Sequence, residues 1–272
     1  MMKKISCCVL DLDGTLLNSK GEINEGDRQA LIAMKEKGCH VVIATGRTEL
    51  QIFEYIDALQ INGPIIGCNG GLIKHTGTKE ILHITYFDPA VVQEITDYCK
   101  REKLDYLLYN DDYVYHCPGS RRIEKFKTYN LTCKPEHRVP IRCVDELAPG
   151  EAYRNIIKIL IIDKISRIPE VNALFNQDHS LTVVTSGENL IDIMPGHTTK
   201  GQGVELLAQK LGVPLAEVAV FGDSPNDETM FEVAGIAVAM GNADPHLKEI
   251  ANYVTATNDE EGIRQALEHF AK

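Results

Sequence analysis

The sequence predicts an α/β fold: a parallel-sheet core with an inserted α+β module. Short apolar runs alternate with segments of helical periodicity over about the first 75 residues and again after about residue 198, an order typical of parallel α/β sheets. The stretch between them contains eight of the ten tyrosines and longer strand-like runs. We therefore predict a core domain from residues 1–81 plus 192–272 and an inserted α+β domain from residues 82–191.

The predicted core strands are short and almost continuously apolar, which indicates that both of their faces are covered. They span residues 5–10, 40–44, 64–68, 219–221 and 236–239. Helical periodicity predicts helices over residues 24–37, 203–211, 227–234 and 260–271. Gly38 follows the first of these as a C-terminal stop signal.

The inserted module is predicted to contain a β-hairpin in "DYLLYNDDYVYHC", with its turn at Asn110-Asp111-Asp112. Strand-like runs at 155–163 and 181–185 flank a helix-like segment, "RIPEVNALFNQ". Tyr113, Tyr115 and His116 have two interpretations: they form one face of a sheet, or they contact a substrate.

Composition excludes several classes of protein. The chain of 272 residues is 44% hydrophobic and 25% charged, with a net charge of −11, which argues against a general nucleic-acid binder. No apolar run is long enough to span a membrane, and the apolar stretch after the basic start is too short for a secretory signal. The eight cysteines include no C-x-x-C pair, so we expect reduced thiols in a cytoplasmic protein, most of them small core residues. We expect a monomer or a weak homo-oligomer.

Polar residues or glycines follow four of the predicted strands. In open parallel sheets, ligands bind beyond the carboxyl ends of the strands, so we expect these residues to converge on one edge. They are Asp11-Leu12-Asp13, Thr45-Gly46-Arg47, Asn69-Gly70 and Gly222-Asp223.

The pair Asp11 and Asp13 is costly to bury, because two carboxylates repel each other unless a cation or a proton lies between them. Mg²⁺ prefers oxygen ligands, and Asp223 could complete such a site. A solvated loop remains an alternative for the pair taken alone. A calcium-binding loop does not fit, since Leu16 occupies the sixth position, where the loop needs glycine, although Glu22 falls at the twelfth.

A phosphorylated substrate would account for the other strand-end residues. A carboxylate that approaches a phosphate dianion is repelled by about 4 kcal/mol for each pair of unit charges, at about 4 Å and an effective dielectric of about 20. Lys200 could offset this repulsion as a point charge, and Thr45-Gly46 offers a hydroxyl and an accessible N–H. Taken separately, Lys200 could equally be a lysine on the surface, and Thr45-Gly46 could equally be an ordinary turn.

The segment "GDSPND", residues 222–227, supplies three further candidates. Asp223 is a candidate metal ligand, Asn226 a neutral phosphate donor and Asp227 a residue that supports them. A helix-capping turn is the structural alternative. Four signals at or next to strand ends therefore favour one reaction, the transfer of a phosphoryl group: the Asp11–Asp13 pair, Thr45-Gly46, Lys200 and the segment 222–227.

The motifs "DLDGTLL", "ATGR", "TTKG" and "GDSPND" resemble those of the haloacid dehalogenase (HAD) superfamily of phosphatases, within it the Cof-type sugar-phosphatase branch. The resemblance covers about 160 residues in the order and spacing of that family. It implies a Rossmann-like core and a mobile cap of type IIB, inserted between the second and third motifs, where the tyrosine-rich module lies.

The same resemblance implies a role for each matching residue. Asp11 would be the nucleophile that forms an aspartyl phosphate, and Asp13 the general acid and then base, oriented by Thr15. Mg²⁺ would be bound by Asp11, Asp223 and the main-chain carbonyl of Asp13. The phosphate would be held by the Leu12 amide, Thr45, Gly46, Lys200 and Asn226, with Asp227 as a supporting partner.

These roles imply a Mg²⁺-dependent phosphatase of a small phosphorylated metabolite, either a sugar phosphate or a phosphorylated cofactor. A hexose phosphomutase would use the same aspartates, and a metabolite-sensing protein would keep the pocket without turnover. Asp13 favours hydrolysis, because related ion-pumping ATPases have a non-acidic residue at that position and keep their aspartyl phosphate.

Overall fold

The structure, a computed structural model, describes residues 4–148 and 150–271. These residues fold into two units. The core unit contains the described residues of Met1–Thr45, Glu54–Leu82 and Thr199–Lys272, and the cap unit contains Gly46–Phe53 and the described residues of His83–Thr198.

The strands are short, as the sequence predicts for the core. In chain order they are β1 (Cys7–Leu10), β2 (His40–Ile43), β3 (Pro64–Gly67), β4 (Leu72–His75), β5 (Ile81–Ile84), β6 (Asp105–Tyr109), β7 (Val114–His116), β8 (Ile141–Cys143), β9 (Lys158–Ile162), β10 (Leu181–Gly187), β11 (Leu190–Pro195), β12 (Val218–Gly222), β13 (Ile236–Ala239) and β14 (Tyr253–Val254).

Helices separate most of these strands. They are α1 (Glu25–Glu36), α2 (Phe53–Ala58), α3 (Pro89–Glu102), α4 (Ile123–Thr132), α5 (Ile168–Phe175), α6 (Lys200–Leu211), α7 (Glu228–Val233), α8 (Pro245–Ile250) and α9 (Gly262–Phe270). None of the helices in the described part of the chain is long and apolar enough to cross a membrane.

The main sheet of the core unit is parallel, in the order β14-β13-β12-β1-β2. β1 lies between β12 and β2, and its last residue, Leu10, is in register with Phe221 and Ile43. All four residues of β1 are buried. The predicted parallel α/β core is therefore confirmed, and the ends of three strands are aligned beside one another.

The predicted strand at 64–68 exists but does not join this sheet. β3 instead pairs antiparallel with β4, in a separate sheet of order β3-β4-β5. One bridge, Ala44 to Ile66, connects it to the chain after β2, and the Thr45 amide donates to the Ile66 carbonyl at 2.9 Å. The loop after β3 is thereby fixed beside Thr45.

The cap unit is built on one mixed sheet, in the order β10-β11-β9-β6-β7-β8. The predicted hairpin is β6 and β7, and Asn110 Oδ1 accepts from the amides of Asp112 and Tyr113 in its turn. Tyr115 is buried in the apolar cluster on one face of the sheet, with Tyr113 packed against it. These two tyrosines therefore belong to a packed sheet face.

The division of the chain differs from the predicted one in two places. The predicted boundary between 191 and 192 falls inside β11, which pairs with both β9 and β10 and so belongs to the cap unit. Residues 46–53 also belong to this unit, because Leu50 is buried in the second apolar cluster of the cap sheet. The amino-acid composition of the sequence does not change at either of these two boundaries.

Six of the eight cysteines are buried, as predicted for small core residues, and all eight are free thiols.

Candidate active site

Two candidate carboxylates directly follow aligned strands of the core unit. Asp11 follows β1 and Asp223 follows β12. The Asp11 amide extends the sheet by donating to the Phe221 carbonyl at 3.0 Å, and the chain then turns, with the Leu16 and Leu17 amides donating to the carbonyls of Asp11 and Leu12. The turn holds Asp11 at the sheet edge with only 4% of its surface exposed.

Gly14 allows the chain after β1 and the loop after β12 to lie close together. It has φ +87°, and a Cβ at this position would lie 2.4 Å from Asp223 Oδ2. A side chain would therefore be strained and would displace Asp223. The glycine of "DLDGTLL" is required by the approach of the β12 loop.

Lys200 lies between two carboxylates in the interior. It is the first residue of α6, and its Nζ donates to Asp11 Oδ1 at 2.5 Å and to Asp227 Oδ1 at 2.6 Å. Its side chain is fully buried. The predicted charge is therefore part of an internal ionic cluster, and the surface-lysine interpretation is wrong.

The start of α6 is fixed by close backbone contacts. The Thr199 side chain caps the helix by accepting from the Gln202 amide at 3.2 Å. A Cβ on Gly70 would lie 2.1 Å from the Thr199 carbonyl oxygen, and a Cβ on Gly201 would lie 2.2 Å from the Thr229 carbonyl oxygen. These glycines let neighbouring segments pack against the helix end that carries Lys200.

Asp227 organises the loop that follows β12. Its Oδ2 accepts from the amides of Asp223 at 2.9 Å and Ser224 at 3.0 Å, while its Oδ1 accepts from Lys200. Because donors engage both of its oxygens, Asp227 links Lys200 to the backbone of this loop. It fixes the backbone of Asp223.

The cluster carries excess negative charge. If all four groups ionise, the three carboxylates and one ammonium group have a net charge of −2. Burial, followed by the carboxylates of Asp227 and Asp223, raises the pKa of Asp11 against the opposing effect of Lys200. Burial would lower the pKa of Lys200, but Asp11 and Asp227 outweigh it and raise that pKa. Burial also raises the pKa of Asp223 to about 6.

A divalent cation fits this arrangement. Oxygens of Asp11, Asp223 and Asp227 lie within 4.8 Å of one another, and the buried Asp11 Oδ2 has no hydrogen-bond partner among the described residues. A buried carboxylate oxygen without a donor is costly. An ion with a charge of +2 would satisfy this oxygen and neutralise the cluster.

Thr15 differs from expectation in its partner. Its hydroxyl is fully buried and donates to Asp223 Oδ1 at 2.9 Å. The resemblance implied that Thr15 orients Asp13, but its single hydroxyl proton is directed to Asp223. The neighbouring strand brings that carboxylate against Thr15, while the Asp13 residue is exposed.

Asn69 is a residue of the site to which sequence reasoning assigned no role. Its Oδ1 accepts from Asn226 Nδ2 at 3.2 Å, and its amide donates to the Thr45 carbonyl at 3.0 Å. It has φ +53°, a left-handed conformation that asparagine tolerates better than most residues. Its position at the end of a predicted strand was the available signal.

The structure thus brings most of the predicted residues of the core unit into two groups. One is the ionic cluster with Thr15, and the other links Thr45 and Asn226 through Asn69. Leu12 is fully buried beside Asp11 in the chain. Gly46, which follows Thr45, is grouped with the cap unit.

The chain is similar to characterised proteins over nearly its whole length. A family model described as haloacid dehalogenase-like hydrolase matches residues 8–267. The chain is 30% identical to a 5-amino-6-(5-phospho-D-ribitylamino)uracil phosphatase of Bacillus subtilis, over 95% of this chain and 96% of that protein. It is 28% identical to a pyridoxal phosphate phosphatase of Escherichia coli, over 94% of this chain and 95% of that protein.

Solved structures show the same fold. The structure of a sugar phosphatase of HAD subclass IIB matches with a TM-score of 0.82 at 24% identity, over 98% of this chain and 99% of that one. The fold, the family model and the named relatives agree with the motifs described above. The chain belongs to the haloacid dehalogenase-like hydrolases and has the fold of the subclass IIB structure.

Proposed function

We propose that this chain is a Mg²⁺-dependent phosphatase that hydrolyses a small phosphorylated metabolite through an aspartyl phosphate on Asp11. The supporting observation is the Asp11 carboxylate itself: it is buried, one oxygen accepts from Lys200, and the other has no hydrogen-bond partner among the described residues. A carboxylate that is buried and held in one orientation in this way is suited to act as a nucleophile.

The first chemical step transfers the phosphoryl group to the protein. An oxygen of Asp11 forms a bond to phosphorus while the bond from phosphorus to the leaving oxygen breaks. Asp13 donates a proton to that oxygen as it leaves, which avoids release of an unstable alkoxide. The exposed position of Asp13 leaves it accessible to substrate and water.

The second step regenerates the enzyme. Asp13, now ionised, accepts a proton from water as the water oxygen bonds to phosphorus. The bond between phosphorus and Asp11 breaks, inorganic phosphate leaves, and Asp11 returns to its carboxylate form. The division into two displacements lets one carboxylate pair serve as nucleophile and acid–base group.

Asp11, Asp223 and the main-chain carbonyl of Asp13 would hold Mg²⁺, which supplies positive charge that offsets the repulsion between the carboxylate and the phosphate dianion. Thr15 and Asp227 support this role, because they orient the side chain and the backbone of Asp223.

The remaining residues would hold the phosphate oxygens. Lys200 supplies charge, and the donors are the Thr45 hydroxyl, the amides of Leu12 and Gly46, and Asn226 Nδ2. Asn69 uses one of the two hydrogens on Asn226 Nδ2 and leaves the second for a ligand. The Ser224 hydroxyl donates to Asn226 Oδ1 at 2.7 Å, so the amide group is fixed at both atoms.

The relatives support a small phosphorylated metabolite as substrate. Their names specify a phosphorylated ribitylaminouracil and pyridoxal phosphate, and the subclass IIB structure is that of a sugar phosphatase. We therefore propose a sugar phosphate or a phosphorylated cofactor, hydrolysed in the cytoplasm by a monomer or weak homo-oligomer. All three are phosphatases by name, which favours hydrolysis over phosphoryl return to the sugar.

Phosphate release from a panel of metabolite phosphates, with Mg²⁺ and with a chelator, tests this proposal. Wild type should require Mg²⁺, and Asp11→Asn, which keeps the shape of the side chain, should be inactive. Asp13→Asn should slow turnover by about 100-fold or more. Equal activity of wild type and Asp11→Asn would refute the nucleophile assignment, and isomerised hexose phosphate without free phosphate would identify a mutase.

A further inference from the structure

A lysine is buried in the cap unit, far in sequence from the predicted catalytic motifs. Lys158 begins β9, and only 5% of its surface is exposed. Its Nζ lies 3.1 Å from Asp192 Oδ1, on β11, and 4.6 Å from the centre of the Tyr109 ring, on β6. Asp192 is 2% and Tyr109 1% exposed, so the ammonium group is enclosed by the sheet.

The third partner of this ammonium group is a backbone carbonyl from another part of the chain. Lys158 Nζ donates to the Gly46 oxygen at 2.7 Å, across 112 positions of sequence. A hydrogen bond with a charged donor is stronger than one between neutral groups. Gly46 is the residue whose amide, on the proposed function, binds substrate phosphate together with Thr45.

Stability alone does not account for such a pair. Apolar side chains of similar volume often replace a buried ion pair with no loss of stability. Glycine, by contrast, has many accessible backbone conformations, so an amide at Gly46 needs an external restraint if it is to point in one direction. The Asn69 amide holds the Thr45 carbonyl, in the peptide that carries the Gly46 amide, and Lys158 holds the Gly46 carbonyl, in the next peptide, so both sides of the glycine are restrained. Leu50, buried in the cap cluster, holds the same segment four residues later.

We propose that Lys158 is a positioning residue for phosphate binding: it fixes the Gly46 carbonyl and so, together with the bond from the Asn69 amide to the Thr45 carbonyl, holds the backbone at Gly46 with its amide in one direction. Asp192 lies beside the ammonium group as its counter-charge. This inference rests on the proposed function, because it assigns Gly46 to the phosphate site. It adds a residue of the cap unit that is not among the proposed metal-binding or phosphate-binding residues.

The test uses the double variant Lys158→Met/Asp192→Leu in the full chain, since the double change removes the pair without leaving a buried charge. Leu160→Ala is the matched control, because Leu160 is two residues further along β9, is 3% exposed and lies in the same apolar cluster as Leu50. Three quantities are measured: the KM and kcat for phosphate release, the dissociation constant for inorganic phosphate by calorimetry with Mg²⁺ present, and the Mg²⁺ concentration for half-maximal activity.

The double variant should raise KM and the phosphate dissociation constant together, by about tenfold, the scale of one hydrogen bond to a charged group. Its kcat should fall by less, and its Mg²⁺ requirement should stay unchanged, because the metal-ligand candidates are not touched. Leu160→Ala should lower the urea midpoint but leave phosphate affinity within about twofold of wild type.

Two results would overturn the inference while the proposed function stands: a folded double variant with wild-type phosphate affinity, or a loss of affinity as large in Leu160→Ala. An increase in the Mg²⁺ requirement equal to the increase in KM would also overturn it, since that pattern indicates general disruption. If wild type neither binds inorganic phosphate nor releases it from the panel, the proposed function fails, and this inference fails with it.

Discussion

Asp223→Asn should make the metal-free protein more stable while it impairs metal-dependent activity. Burial raises the pKa of Asp223 to about 6, and the negative charge of Asp227 adds to this effect. Asparagine has the same shape, can accept the hydrogen bond that Thr15 donates, and carries no charge. The variant therefore relieves repulsion in the cluster and removes a proposed Mg²⁺ ligand.

The size and sign of the effect follow from the pKa. An aspartate in an unfolded chain has a pKa of about 3.9, so the folded protein binds this proton more tightly than the unfolded chain. Wild type then loses stability as pH rises from about 4 to about 6, and the whole penalty remains above that range. A difference of about two pH units corresponds to about 3 kcal/mol. Because Asp223 is only partly buried, we expect about 1–3 kcal/mol.

Urea unfolding in a chelator measures this difference directly. Asp223→Asn should exceed wild type by about 1–3 kcal/mol near pH 8, and the two proteins should converge near pH 4. Added Mg²⁺ should stabilise wild type more than the variant, because a ligand stabilises the state that binds it. Asp227→Asn is the control, and it should destabilise the protein at both pH values since it leaves Lys200 without one of its charged partners. A variant less stable than wild type at pH 8 would refute the reasoning.

Two other substitutions test the backbone around the cluster. Gly14→Ala should displace Asp223 and weaken about one charge-assisted contact, so the Mg²⁺ concentration required for activity should rise about tenfold or more. Gly38→Ala is the control, because Gly38 has a similar φ of +85° but nothing lies within 4 Å of the added Cβ. An equal rise in both variants would contradict the displacement argument. Asn69→Gly keeps the left-handed backbone conformation but removes the hydrogen bond to Asn226, so the KM for substrate should rise about fivefold. An unchanged KM would show that Asn69 does not orient the side-chain amide of Asn226.

The strands that position Asp11 and Asp223 could be predicted from sequence because their signals are local. β1, β2, β12 and β13 each lie within or close to a predicted apolar run. The rule that ligands bind at the carboxyl ends of parallel strands then selects the residues that follow them. Asp11 and Asp223 emerge from adjacent strands with aligned ends, and Lys200 reaches both Asp11 and Asp227. Asp11 and Asp223 lie close together because a parallel sheet places the carboxyl ends of its strands at one edge.

The features that sequence did not predict depend on contacts between distant segments. β3 is as apolar as a strand of the main sheet, so only the structure shows that its ladder is with β4, antiparallel, and that a single parallel bridge links it to the chain after β2. Thr15 is two residues from Asp13 and 208 from Asp223, yet its hydroxyl donates to Asp223. The placement of residues 46–53 likewise depends on where Leu50 is buried. A single sequence records hydrophobicity and spacing, but it does not record which of two polar neighbours a side chain will face.

The ionic cluster shows why stability and activity conflict at this site. Three carboxylates around one ammonium group leave a net charge of −2, and the pKa values of Asp11 and Asp223 are both raised. A neutral replacement of Asp223, which does not pair with Lys200, would lower the cost of folding without metal. The same excess charge would attract a divalent cation, and Asp11, the proposed nucleophile, is one of the groups that carry it. Stability is therefore given up at the atoms that the proposed reaction uses, and the close packing of Gly14 and Gly201 keeps them in place.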